Sequence, residues 1–68
     1  MTVRNDLEKA LAAAESAKAT YASFALSTED ESAKQMFNQM SQDLESHVSS
    51  IKSRLQYVSQ NINQANQA

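Results

Sequence analysis

The chain has 68 residues, carries a net charge of −2, and contains no glycine, proline or cysteine. Its length allows a single domain that buries only about 60% of the surface of the unfolded chain. Without cysteine there are no disulfides, no thiolate metal sites and no thiol catalysis, so self-association is the expected source of added stability. The six basic residues (Arg4, Lys9, Lys18, Lys34, Lys52 and Arg54) are scattered. The chain therefore lacks the basic face that nucleic acid or an anionic membrane demands.

The longest apolar run, Ala10 to Ala14, is far too short to span a bilayer, so no direct membrane insertion is expected. The N-terminus shows no apolar stretch of signal-peptide type, and a cytoplasmic location is the expectation.

From Val3 the apolar residues fall at Val3, Leu7, Ala10, Ala14, Ala17, Tyr21 and Phe24. Steps of four and three repeat without error, which predicts a first helix over about 3–26. Thr2 is placed to cap it. The small residues Ala10, Ala14 and Ala17 would let a neighbouring helix approach closely, with Tyr21 and Phe24 closing the end nearest the turn.

Ser27-Thr28-Glu29-Asp30-Glu31 is the clearest local signal. Thr28 with Glu31 matches a capping box, and the acids suit the positive end of a helix dipole. This predicts a turn at about 27–28 and a second helix from about 29 to 58 or longer, with Asp30 and Lys34 as an i,i+4 pair.

The second helix shows one stripe at Ala33, Phe37, Met40, Leu44, His47 and Ile51. A second stripe follows at Leu44, Val48, Ile51, Leu55, Val58 and Ile62. One neighbour needs one stripe, so the second predicts an oligomer interface at Leu44, Val48, Ile51, Leu55, Val58 and Ile62. Placing Val3 beside Lys52 makes Leu55, Val58 and Ile62 overhang helix one. Each of these side chains, if left wet, forfeits about 1.5–3 kcal/mol of burial.

The predicted architecture is all-α, an antiparallel two-helix hairpin over 1–60 that pairs as a homo-oligomer into a four-helix bundle. Propagation into an open polymer is the alternative assembly. The Gln- and Asn-rich stretch 61–68 reads as a fraying polar tail, although Ile62 and Ala65 could extend the helix.

No catalytic constellation is visible, and no phosphate loop can exist without glycine, so enzymatic activity is not expected. Met36, Phe37 and Met40 form an adaptable apolar patch, with Met36 off the main stripe and able to touch a partner. Tyr21 and Tyr57 suit half-buried interface positions. His47 falls on a predicted core stripe, where burial would favour the neutral imidazole and a seam histidine could sense pH.

The run from Glu15 through Tyr21, Phe24 and Ala25, followed by Phe37, Met40 and Asp43-Leu44-Glu45-Ser46-His47, resembles one helical hairpin of a rubrerythrin. The resemblance implies a ferritin-like di-metal bundle, completed by dimerising in single-hairpin relatives, with Glu15 and His47 as candidate ligands. Leu44 stands where that family has a glutamate. Asp43 and Glu45 read as lying off the His47 face, and Glu15 as lying opposite Met40 to Gln42. No metal or other cofactor is therefore expected.

Over Thr2 to Gln60, the opening Thr2-Val3-Arg4-Asn5-Asp6-Leu7-Glu8-Lys9-Ala10, the Tyr21-Ala-Ser-Phe24-Ala25 close, the Thr28-Glu29-Asp30 turn and the Phe37 to Tyr57 stretch together resemble a family of small domains. It is the family numbered 1657 among domains of unknown function, found in endospore-forming Firmicutes. The resemblance implies a sporulation context, with an accessory or structural role in the forespore or spore and spore membrane proteins as partners.

Overall fold

The computed structural model describes residues 2–67, with side chains described for residues 2–60. It is an all-α hairpin. Helix α1 runs Val3–Ser27 and helix α2 runs Glu31–Gln67, packed antiparallel along each other. The Cα extents of 57 × 18 × 12 Å describe a slab one helix thick, so each helix has one neighbour.

Thr2 caps α1 as the sequence predicts, its hydroxyl accepting from the Asn5 N–H at 3.0 Å. The turn is made without any residue at positive φ. Thr28 leaves the helix in an extended conformation (φ −76°, ψ 143°), while its N–H still donates to the Phe24 carbonyl at 3.0 Å. A threonine that steps into the β region ends the helix, so the usual left-handed glycine is dispensable.

The cap of α2 differs from the predicted box. Thr28 Oγ1 accepts from the Asp30 N–H at 3.2 Å, and Asp30 Oδ2 accepts from the Ala33 N–H at 3.2 Å. Asp30 is thus the N-cap and α2 begins at Glu31, two residues later than expected. With its carboxylate turned back onto the backbone, Asp30 forms no ion pair with Lys34 among the described residues.

The later start slides α2 along α1. Phe24 meets Phe37 with ring centroids 5.5 Å apart, and Tyr21 stacks on Phe37 at 6.1 Å. Further along, Ser41 Oγ donates to the Lys18 carbonyl at 3.3 Å, and Lys52 pairs with Glu15 at 3.9 Å. Leu55 and Val58 consequently lie half-buried beside the start of α1 instead of overhanging it. The side chains of Ile62 and Ala65, and the tail reading, lie outside the described residues.

The seam follows one heptad on each helix. On α1 it is Leu7, Leu11, Ala14, Lys18, Tyr21 and Ala25. On α2 it is Lys34, Phe37, Ser41, Leu44, Val48, Ile51, Leu55 and Val58. Each of these residues is buried or half-buried. Only Ala25 and Val48 fall to 3% exposure, so the core among the described residues is a single thin line.

Candidate functional site

The heptad phase decides what each helix has left for anything else. On α1 the predicted stripe mixed seam positions (Leu7, Ala14 and Tyr21) with the row beside them (Val3, Ala10, Ala17 and Phe24). On α2 the first predicted stripe did the same, mixing Phe37, Leu44 and Ile51 with Ala33, Met40 and His47. The second α2 stripe (Leu44, Val48, Ile51, Leu55 and Val58) is the seam itself and lies against α1.

The residues predicted for an oligomer interface, Leu44, Val48, Ile51, Leu55 and Val58, are half-buried or buried within the hairpin. Val48, at 3% exposure, has no surface to offer a second molecule. The stripe assigned to the partner packs within the hairpin; of the row assigned to the hairpin, Val3, Ala10, Phe24 and His47 are exposed and Ala17, Ala33 and Met40 half-buried.

In an antiparallel pair, like flanks of the two seams fall on the same side. One side carries Glu8 and Glu15 from α1 with Asn38, Glu45 and Lys52 from α2. All three ion pairs among the described residues involve glutamates of this side: Arg4–Glu8 at 3.7 Å, Lys52–Glu15 at 3.9 Å, and Lys18 with Glu45. Lys18 occupies a seam position, its stem half-buried and its ammonium reaching out to Glu45. The hydrogen bond from Lys18 and then its charge hold the Glu45 carboxyl below the usual carboxylate range, against a smaller opposing desolvation and with a lesser contribution from the Lys52 charge.

The other side carries no ion pair among the described residues and is the more apolar of the two. It carries Val3, Ala10, Ala17 and Phe24 from α1 and Ala33, Met40, His47 and Arg54 from α2. The next row of α2 adds Met36, Asp43, Ser50 and Tyr57. Four of the five large apolar side chains that remain exposed sit here: Val3 at 62%, Phe24 at 46%, Met36 at 51% and Tyr57 at 50%. The fifth, Leu26 at 87%, lies near the turn and away from this flank.

An open groove of about 280 Å³ runs along the apolar flank, lined by Tyr21, Met40, Asp43, Leu44 and His47. His47 is exposed on its wall rather than buried in a core stripe. Asp43 shares the groove with His47, because residues four apart lie on one helix face; the expectation that it pointed elsewhere is corrected. Arg54 lies over the Tyr57 ring at 4.8 Å, and Gln39 Nε2 donates to Asp43 Oδ1 at 2.9 Å.

The two metal-ligand candidates are not brought together. Glu15 sits on the charged flank facing Lys52, beyond the Met40 to Gln42 region expected for it, and His47 sits on the apolar flank. Among the described residues no three metal-ligating side chains gather. No helix of the described residues is long and apolar enough to cross a membrane.

The geometry defines a two-helix antiparallel hairpin whose distinguishing surface is one unpaired apolar side. The model of the family described as protein of unknown function (DUF1657) matches residues 7–55, and the chain belongs to that family. The match runs from the first seam leucine, Leu7, to Leu55 on the other helix. No curated protein and no solved structure matches the chain.

Proposed function

We propose that the protein is a non-enzymatic self-associating module in which the apolar flanks of two hairpins meet to form a four-helix bundle. One observation carries this reading. Among the described residues the hairpin buries just Ala25 and Val48 to 3%, while Val3, Phe24, Met36 and Tyr57 stay about half exposed or more along one side. Large apolar side chains left exposed along one side of a small hairpin mark a candidate interaction surface. A chain this short gains most by covering it with a second core layer.

The ion-paired side suits the outer, solvated surface of such a bundle. Within the sporulation context that the family resemblance implies, the assembly is an accessory or structural element acting by protein–protein contact, with spore membrane proteins as proposed partners.

Sedimentation equilibrium tests the self-association. The expected result is a two-chain species at micromolar concentration whose thermal midpoint rises with protein concentration, as mass action requires. A folded, solitary chain with a concentration-independent midpoint would overturn the proposal.

A further inference from the structure

We infer that the occupant of the apolar flank is a second copy of this chain docked antiparallel, α2 on α2 and α1 on α1, about a two-fold axis that passes between Val48 and Ser49. This rests on the self-association reading and adds a register to it.

The register comes from the order of side chains on the outward stripe of α2, which reads Met40, Asp43, His47, Ser50, Arg54, Tyr57. Laid antiparallel on itself about that axis, the stripe sets Met40 against the second copy's Tyr57 and Asp43 against its Arg54. His47 then meets Ser50, and the three pairs repeat on the other side of the axis.

Each opposed pair is chemically matched: thioether with aromatic ring, carboxylate with guanidinium, imidazole with hydroxyl. Asp43 is the only carboxylate and Arg54 the only guanidinium on this stripe, and neither has an ion-pair partner within the described hairpin. Docking supplies a partner to both, twice. Parallel docking in register would instead bring Asp43 to Asp43 and Arg54 to Arg54, and like-charge juxtaposition is costly.

The same axis can be carried across the hairpin to helix α1, whose side chains suit it. Lys18 contacts Glu45 and Ser41 across the seam, so one helical turn further along each strand of the hairpin Ala14 comes beside Val48. The two-fold therefore crosses α1 between Ala13 and Ala14. About that point Ala10 opposes the second copy's Ala17, and Val3 opposes its Phe24.

Small residues surround the axis, where two helices must approach closely. The two large exposed side chains of this row stand at the ends, each facing the other kind. An isologous contact requires this self-complementarity, and the two helices satisfy it with one common axis.

Charge reversal tests the register. Asp43→Arg or Arg54→Asp alone should weaken the dimer about tenfold by sedimentation, and the double reversal should return it to near the original affinity. Because the chain has no cysteine of its own, cross-linking gives a second reading. Met40→Cys with Tyr57→Cys should oxidise to a covalent dimer in high yield, while either single variant should not.

A double reversal as weak as the single ones, or efficient cross-linking of Met40→Cys to itself, would overturn the register while leaving self-association standing. An original chain that never dimerises would remove the underlying reading, and the register with it.

Discussion

The two flanks of this hairpin are built on the same backbone with the same heptad, yet they end in opposite states. On one, Glu8, Glu15 and Glu45 face Arg4, Lys52 and Lys18, and every one of these charges has a partner within the chain. On the other, Phe24, Met36 and Tyr57 stay exposed, Met40 lines an open groove, and Asp43 and Arg54 have no ion-pair partner among the described residues. Satisfied charge on one side and unsatisfied oil on the other give the molecule a front and a back. The difference lies in a few residues per helix, because neighbouring heptad rows are only about 50° apart around the axis.

The largest test removes the seam that keeps the flanks apart. Val48→Asp places a carboxylate at the most enclosed α2 position, which is 3% exposed. The expected cost is about 4 kcal/mol or more. That is comparable with the whole folding free energy of so short a chain, roughly 3–10 kcal/mol. Far-UV circular dichroism should show loss of most helix at room temperature. A fully helical variant would mean that the two helices do not depend on this contact.

A mirrored pair of substitutions then compares the flanks directly. Met40→Glu adds one negative charge to the apolar side, and Asn38→Glu adds the same charge to the ion-paired side, two residues away on the same helix. Burying a Met side chain is worth about 1.5–3 kcal/mol, so Met40→Glu should weaken the dimer by at least about tenfold. Asn38→Glu should leave the affinity within about 0.5 kcal/mol of the original. Equal effects would erase the distinction between front and back.

The sequence showed two helices, the Thr2 cap and the turn region because each depends on local chemistry that neighbours in the chain supply. It did not show which apolar row faces inward, and the reason is visible in particular residues. From Ala10 to Ala14 every side chain is apolar, so the pattern has period but no phase; Leu11 serves the seam as well as Ala10 would.

Lys18 hid a seam position behind a charge, although a long stem packed inward and an ammonium at Glu45 make lysine acceptable there. Phe24 drew attention away from Ala25, which the close approach near the turn prefers. On α2 the capping choice mattered most. Moving the N-cap from Thr28 to Asp30 shifts the register enough to cover Leu55 and Val58 and to carry Glu15 to Lys52. A side-chain hydrogen bond at the turn therefore settled a question about the far end of the molecule.

The smallest expected effect belongs to the charged flank, and it has a definite sign. Glu45 is held ionised by the Lys18 hydrogen bond and charge, with help from Lys52, so its folded pKa lies below the unfolded value. A depressed carboxylate contributes stability above its unfolded pKa and loses that contribution as pH falls through the folded value. The window is thus acidic, beginning near the ordinary value of 4.5 and extending below it.

Lys18→Gln removes the first two causes together. Carbon-detected NMR titration of the Glu45 carboxyl should then move its midpoint upward toward the ordinary value. Raising the salt concentration should do the same to the original chain, because an exposed pair is screened. Lys18→Gln should not alter the dimer affinity at neutral pH, since the proposed contact lies on the opposite side, whereas raised salt also screens the proposed Asp43–Arg54 pairs and serves only for the Glu45 titration. An affinity that followed the Glu45 titration would place the charged flank in the interface and reverse the front and back assigned to this hairpin.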